Sequence, residues 1–250
     1  VFCSPVDTDQ HLSRVEAIRK TWGAGGVFYG HHGKSASCIR LGVTFSETPQ
    51  PAIEDTSEWL KAFLAELEEH PGLSWLVKVE DTSGLLPERL AAFLSLYDPA
   101  EQLLLGNQLQ TAWGPHHRYV SGAGFAVSGA TLKRVRDSGG LALIPAQLRK
   151  IPDVGFSSIC VSLGTRIPDT RDSQGGERFN VFPPHVCARG AYHDWYRDYK
   201  KEAGQPPLGG SSCCASDSVL FQYIGPQEQI SLPKLLPGSL TPQLQRPEPG

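Results

Sequence analysis

Two acidic residues, Glu80 and Asp81, directly follow a short apolar run at residues 74–79. The run is rich in residues that favour β-strands, and this part of the chain alternates predicted strands with predicted helices, a rhythm that is typical of a parallel sheet. Parallel α/β sheets bind ligands at the carboxyl ends of their strands. We therefore expect Glu80 and Asp81 to face a crevice rather than to form an acidic pair on the surface.

Two glycines and two arginines are further candidates for a ligand site. Gly122 and Gly124 lie within 119–135, which we predict to be a strand, a loop of small residues and a helix. Glycines there let a backbone approach a ligand closely. Arg14 and Arg19 lie on a predicted helix, and guanidinium groups bind diphosphate oxygens well. Both pairs also have plain structural explanations, because glycine turns often precede helices and arginines often cover the solvent face of a helix.

The predicted elements that position these residues form one α/β domain over residues 1–232. Apolar residues at helical spacing, β-rich runs, and breaks at glycine and proline define the elements. Residues 233–250 are too rich in proline to join a core, so we predict a flexible tail there. The predicted strands are 1–7, 27–30, 39–45, 74–79 and 102–108. The helices predicted ahead of Gly122 and Gly124 are 12–22, 55–70 and 85–97.

The composition of the 250-residue chain excludes some classes of partner. A net charge of -3 without any block of lysine or arginine argues against nucleic acid and anionic membranes, which need a concentrated basic face. No run of about 18 apolar residues is present, so either the targeting segment lies outside the chain or the protein is cytosolic. The six cysteines lack zinc-site spacing and fit either one to three disulfides in a lumen or reduced, buried thiols.

Several segments, in order along the chain, resemble glycosyltransferase family 31, and specifically its core 1 β1,3-galactosyltransferase branch. The most specific match is the double cysteine, Cys213-Cys214, followed by a short acidic turn and then Phe221, where the branch has Phe-His-Tyr. Ordered matches over most of the chain are harder to obtain by chance than a single motif. The matching segments are 17–23, 74–99, 119–128, 151–164, 169–185 and 209–224.

The resemblance implies a Rossmann-like nucleotide-sugar glycosyltransferase fold of the GT-A type, with a mostly parallel central sheet flanked by helices. It implies an inverting enzyme that transfers a hexose, galactose favoured, from a UDP-sugar donor to a glycan or glycoprotein acceptor. It also implies the lumen of the Golgi or endoplasmic reticulum and a type II membrane anchor outside this chain. A second copy or another glycosyltransferase is the expected protein partner.

By the same resemblance, Asp153 matches the family's catalytic aspartate, which takes the proton of the acceptor hydroxyl while that hydroxyl attacks the anomeric carbon. A helix cap alone would equally explain its place before an apolar run. His185, Trp195 and Tyr196 match the acceptor side, where aromatic faces pack on sugar rings, although a buried structural tryptophan is the commoner outcome. The expected nucleotide-sugar residues are Arg14, Arg19, Glu80, Asp81, Gly122 and Gly124.

Both manganese ligands of the family are substituted in this chain. In the family, the ion that binds UDP is held by the last aspartate of an Asp-Asp-Asp motif and by the histidine of Phe-His-Tyr. An ungapped match places Thr82 at the aspartate, whereas a one-residue slip restores Asp81 as the ligand, and Gln222 replaces the histidine. We therefore expect a manganese ion only if the chain is an active enzyme.

Three functional hypotheses follow from these residues. Asp153 and the small-residue loop that contains Gly122 and Gly124 favour an active hexosyltransferase. The substituted metal positions favour a catalytically silent relative that acts as a chaperone or as a glycan-binding protein. A third hypothesis is an unrelated α/β binding module with accidental matches, and the double-cysteine segment argues against it.

Overall fold

The computed structural model describes residues 8–23, 29–30, 44–45, 56–111 and 117–235. The strand predicted at 1–7 lies outside these residues. The last described helix ends at Leu235, beyond residue 233 where we predicted the tail to begin. The remainder of the predicted tail lies outside the described residues.

Helices and short strands alternate along the described part of the chain. Most of them occur where the apolar periodicity predicts them, including the three helices of the N-terminal half and the strand before the acidic pair. In chain order they are α1 (Thr8–Lys20), β1 (Tyr29–Gly30), β2 (Thr44–Phe45), α2 (Thr56–Glu69), β3 (Trp75–Val79), β4 (Gly84–Leu85), α3 (Pro87–Leu94), β5 (Leu104–Gln110), β6 (Arg118–Ser128), α4 (Gly129–Asp137), α5 (Pro152–Ser162), β7 (Phe179–Asn180), α6 (Pro184–Arg189), α7 (Asp194–Glu202), β8 (Leu220–Phe221) and α8 (Pro226–Leu235).

The main sheet has the strand order β3-β6-β5, and both of its pairings are antiparallel. Since β3 and β5 each run opposite to β6, they run in the same direction as each other, as expected for strands joined by a helical crossover. β6 then reverses direction and lies between them. The mostly parallel central sheet is therefore not confirmed, and the described parallel pairings are β1 with β2 and β7 with β8.

β6 is one continuous strand, so the loop predicted around Gly122 and Gly124 is wrong. Both glycines allow close packing against this strand. A Cβ atom on Gly124 would lie 2.3 Å from Leu220 Cδ1, and one on Gly122 would lie 3.1 Å from the Trp59 ring. These separations are shorter than ordinary van der Waals contact, so the neighbouring side chains reach β6 because it lacks side chains at these positions.

Helices cover both faces of the main sheet. Successive strand residues point to opposite faces, and in β6 Phe125 and Val127 pack in one apolar cluster whereas Ala126 packs in another. The first cluster includes α2 and α5, whose Phe63 and Phe156 rings meet edge to face at 5.1 Å. The second includes α3 and α7. The mixed α/β layering predicted from the sequence is present even though the strand directions differ.

A smaller sheet, in the order β4-β8-β7, connects the C-terminal part of the chain to the segment after β3. β4 and β8 are antiparallel, with Gly84 opposite Phe221 and Leu85 opposite Leu220. α8 follows β8 and packs against both α1 and β4. This pairing brings the residues just before Gly84 next to those just after Phe221.

Four cysteines, Cys160, Cys187, Cys213 and Cys214, lie within the described residues. The described cysteines carry free thiols, so the predicted disulfides are not shown. The Cys187 and Cys214 thiols nevertheless lie close enough for each to shift the pKa of the other, lowering that of Cys187 and raising that of Cys214. Within the described ranges, no helix combines the length and the apolar composition that crossing a bilayer requires.

Candidate active site

The turn after β3 carries the acidic pair, and hydrogen bonds fix it on two sides. On one side, Ser83 Oγ donates to a carbonyl oxygen of β6 at 2.7 Å. On the other side, the Ile224 N–H donates to the Thr82 carbonyl at 2.7 Å, and the Gln229 amide donates to the Asp81 carbonyl at 2.9 Å. The turn is therefore anchored between the main sheet and the segment that joins β8 to α8.

Lys78, the residue of β3 that precedes Val79, is 1% exposed. Its Nζ donates to Glu80 Oε1 and to the Gly122 carbonyl oxygen, and it lies 4.0 Å from the centre of the Trp59 ring. Burial lowers the pKa of Lys78, and the Glu80 carboxylate opposes that shift. Burial likewise raises the pKa of Glu80, which the Lys78 cation opposes. Each charge is thus the main compensation for burying the other.

Asp153 lies in the first turn of α5, two residues after the N-cap position at Ile151. Its Oδ2 accepts the Gly122 N–H at 3.2 Å, and its Oδ1 accepts the Val154 N–H at 2.9 Å. Burial raises the pKa of Asp153, while these donors and the Lys78 cation oppose the shift. A carboxyl group with a raised pKa and a fixed orientation is suited to accept a proton.

The peptide groups of Gly122 connect these charged side chains. The Gly122 carbonyl accepts from Lys78, and the Gly122 N–H donates to Asp153. The structure therefore brings three predicted site residues, Glu80, Gly122 and Asp153, around one buried lysine. Gly124, two residues along β6, packs against apolar side chains instead.

A cleft of about 500 Å³ lies beside the acidic turn. Thr82 lines it, whereas Glu80 and Asp81 do not. Arg14 of α1 is the one charged residue among the lining residues that the structure describes. The lining consists of Ser13, Arg14, Thr82, Tyr223, Ile224, Gly225 and Pro226.

The two arginines predicted to reach a diphosphate differ in position. Arg14 Nη1 lies 3.7 Å from Asp81 Oδ2, and the Asp81 side chain is fully buried behind it. Arg19 is exposed in the last turn of α1 and is not among the lining residues of the cleft. The structure thus brings Arg14, and not Arg19, to the acidic turn.

Tyr223 lines this cleft in a strained conformation. Its φ of 58° lies in the left-handed region, which residues other than glycine adopt rarely. Its side chain is 56% exposed. Partial burial and the nearby Glu80 carboxylate raise the pKa of Tyr223, so its hydroxyl stays protonated at neutral pH. Strained residues of this kind cluster at ligand sites.

The two positions that match the family's manganese ligands lie on neighbouring segments of the chain, but Thr82 lines the cleft and Gln222 does not. Continuing the β4-β8 register beyond Gly84 and Phe221 brings Gln222 opposite Ser83, beside Thr82. The donors present there do not fit the ion. Thr82 offers a hydroxyl and Gln222 an amide, which are weaker ligands than the carboxylate and imidazole they replace.

The slipped register would make Asp81 the metal ligand, and its surroundings do not suit that role either. Its carboxylate is fully buried and pairs with Arg14. Within the described ranges, the group of acidic and histidine side chains close enough to share an ion lies elsewhere, at the partly exposed end of α2, and consists of Glu66, Glu69 and His70. We therefore derive no catalytic step that involves a metal.

An aromatic cluster around Phe182 connects the cleft to the predicted acceptor side. The Phe182 ring lies 5.1 Å from Tyr196, 6.2 Å from Trp195 and 6.3 Å from Tyr223. Trp195 is 42% exposed, so it is not the buried structural tryptophan that was the commoner expectation. Tyr196 is buried, and His185 is exposed on α6.

The sequence patterns did not predict three residues of the site, Lys78, Phe182 and Tyr223. A lysine within an apolar strand, directly before an acidic pair, was a usable signal for Lys78. Phe182 and Tyr223 carry no such signal, because an aromatic residue near a strand end is more often part of a core.

The chain is similar to known glycosyltransferases over part of its length, although no protein-family model matches it. It is 26% identical over 165 residues to glycoprotein-N-acetylgalactosamine 3-beta-galactosyltransferase 1 of Xenopus laevis, covering 63% of the chain and 44% of that protein. It is 30% identical over 126 residues to beta-1,3-glucosyltransferase of Mus musculus, covering 46% of the chain and 24% of that protein. The matches thus span less than half of either relative. They support a glycosyltransferase of the hexose-transferring kind without distinguishing between branches.

Proposed function

We propose that this chain is an inverting glycosyltransferase that transfers a hexose, galactose favoured, from a UDP-sugar to a glycan or glycoprotein acceptor. The observation that carries the proposal is the Asp153 carboxylate, held by the Gly122 and Val154 N–H groups beside a buried cation. The similarity to a galactosyltransferase and a glucosyltransferase supports the same class of donor.

In the proposed reaction, Asp153 accepts the proton of an acceptor hydroxyl as that oxygen attacks the anomeric carbon. The bond between the anomeric carbon and the phosphate oxygen breaks on the opposite face, and UDP leaves. The exposed Trp195 ring, on the same aromatic cluster as Tyr223, offers a flat face for the acceptor sugar. We further propose the Golgi or endoplasmic reticulum lumen as the compartment, with a membrane anchor outside this chain, and a second copy or another glycosyltransferase as a partner.

The test is hexose transfer by the purified chain, measured with a panel of UDP-hexoses and sugar acceptors. Asp153→Asn is expected to lower transfer by about 100-fold or more, as loss of a general base does, while UDP binding is retained. Asp137→Asn, which changes an exposed carboxylate of α4, serves as the matched control. Full-rate transfer by the Asp153 variant would remove this residue from the mechanism.

A second candidate function is a catalytically silent glycan-binding protein or chaperone. The substitutions to Thr82 and Gln222 at the family's metal positions favour it. Glycan binding that is unchanged by Asp153→Asn, together with no transfer for any donor in the panel, would support this candidate over the enzyme.

A further inference from the structure

We propose that the cleft between α1 and the β8-α8 segment binds the diphosphate of a nucleotide donor without a divalent cation, with the Arg14 guanidinium as the counter-charge. The identity of the ligand rests on the proposed function. The independence from metal rests on the residues of the cleft, which do not suit the manganese ion that the family resemblance implies.

The charge of the cleft is the first argument. Arg14 lies on its wall and supplies the one charge among the described lining residues. Its partner Asp81 is fully buried, with Oδ2 3.7 Å from Arg14 Nη1. The Arg14–Asp81 pair is neutral as a whole, and the guanidinium is the part of it that lines the cleft. In a metal site the same carboxylate would have to turn towards the ion instead.

The hydrogen-bond donors of the cleft are the second argument. Ser13, Thr82 and Tyr223 all line it and carry hydroxyl groups. A guanidinium presents paired N–H donors that match the oxygens of a phosphate, and hydroxyls add neutral donors. The raised pKa of Tyr223 keeps its phenol protonated and able to donate. This set recognises an anion and is poor in the carboxylate oxygens that hold a divalent cation.

The shape of the cleft is the third argument. Its volume of about 500 Å³ falls within the usual range for small-molecule sites, about 300 to 1,000 Å³. The left-handed backbone at Tyr223, with φ of 58°, positions an exposed aromatic ring on the cleft lining. A planar base can stack on such a ring while the diphosphate reaches Arg14.

The experiment is calorimetric titration of the purified chain with UDP and, separately, with inorganic pyrophosphate, in buffer that contains EDTA and in buffer that contains manganese. We expect both ligands to bind in EDTA, with a Kd that manganese changes by less than about threefold. Arg14→Gln is expected to weaken binding by about 10- to 100-fold, the usual cost of losing a charged hydrogen-bond donor. Lys20→Gln removes the same charge from an exposed position on α1 and is expected to leave the Kd unchanged.

A second variant distinguishes the loss of ligand contacts from a folding defect in Arg14→Gln. Arg14→Lys keeps the charge but loses the paired donors, so we expect an intermediate Kd, with melting temperature and circular dichroism as the checks on folding. Equal Kd values for the wild type and both Arg14 variants would overturn the proposal.

The outcomes also separate this inference from the proposed function. UDP binding that requires manganese would overturn metal independence and leave sugar transfer standing. Absence of UDP binding in both buffers, with a folded protein, would overturn both. Binding of pyrophosphate without binding of UDP would overturn the nucleotide assignment alone and would count against the proposed donor.

Discussion

The side chain of Lys78 is enclosed by the Glu80 carboxylate, the Gly122 carbonyl and the Trp59 ring. An ammonium group removed from water is costly unless charges and dipoles compensate it. Here the compensating groups are also those that flank Asp153, since the Gly122 peptide contacts both side chains. The buried cation therefore stabilises the ionised form of the proposed base, and its removal should change the pH at which that base works.

We expect Lys78→Met to move the acidic limb of the kcat/KM profile for sugar transfer to higher pH. The base must be ionised to act, so activity rises as pH rises through the pKa of Asp153. The Lys78 cation lowers that pKa against the raising effect of burial, so losing it raises the pKa further. The measurement is the pH dependence of transfer in the wild type and the variant.

Two further variants make this result interpretable. Lys78→Met with Glu80→Gln removes the carboxylate that would otherwise stay buried without its cation, which preserves the fold. Lys133→Met changes an exposed lysine of α4 and should leave the profile in place. An unshifted acidic limb in a folded Lys78 variant would contradict the coupling.

At the scale of elements, the main sheet depends on close approaches that only glycine permits. Gly129 begins α4 directly after β6, and its N–H donates to the Ser74 carbonyl at 2.8 Å. A Cβ atom at this position would lie 1.9 Å from the Leu73 carbonyl oxygen. The clash is with backbone at the start of β3, so a side-chain rotation cannot relieve it.

Gly129→Ala is expected to lower the free energy of unfolding by about 3 kcal/mol or more, the range of severe packing defects. The measurement is urea denaturation of each variant. Gly72→Ala is the matched control, because a Cβ atom there meets nothing within 4 Å, and it should change stability by no more than about 0.5 kcal/mol. Equal stability of the two variants would show that the junction of β6 and α4 relaxes freely.

At the scale of the whole molecule, a buried ion pair joins α7 to both sheets. Lys200 Nζ lies 2.5 Å from Glu177 Oε1 and donates to the Gln108 carbonyl of β5 at 3.2 Å. Glu177 in turn forms a parallel bridge with Cys214, ahead of β8. Burial raises the pKa of Glu177 and lowers that of Lys200, and each charge opposes the shift of the other.

Lys200→Met is expected to lower the free energy of unfolding at neutral pH by about 3 to 5 kcal/mol, because Glu177 stays buried without its cation. The loss should shrink at low pH, where Glu177 is protonated in both the folded and the unfolded state. Urea denaturation at two pH values measures this. Lys201→Met, an exposed neighbour on the same helix, is the control, and a pH-independent loss would contradict the ion-pair explanation.

The cysteine prediction also belongs to the whole molecule, because Cys187 and Cys214 come from separate segments. Each thiol shifts the pKa of the other, which indicates that the two lie close together, so oxidised glutathione should accept two electrons and two protons from this pair and leave a disulfide. We expect oxidation to stabilise the chain by about 2 to 4 kcal/mol. Cys187→Ser should abolish that gain and Cys160→Ser should not, as measured by melting and peptide mapping. A bond to Cys3 or Cys38 instead would contradict this pairing.

The sequence by itself determined the helices and the strand before the acidic pair, and it supplied the candidate base as a prediction. Apolar residues at helical spacing predict α1, α2 and α3, because such spacing gives each helix one face to bury. The family resemblance singled out Asp153 and the substituted positions Thr82 and Gln222. These signals are local in the chain, and so they can be read from neighbouring residues.

Only the tertiary structure decided how the strands pair and which charges meet. β6 lies in the centre of the main sheet because of pairing between strands that are far apart in sequence. The order of elements along the chain does not predict that pairing. Lys78 became a site residue because folding encloses it with Glu80 and Gly122. Of the two predicted arginines, Arg14 alone lines the cleft, because α1 lies against the β8-α8 segment. Burial and charge contacts arise from residues far apart in sequence, which is why periodicity and spacing did not reveal them.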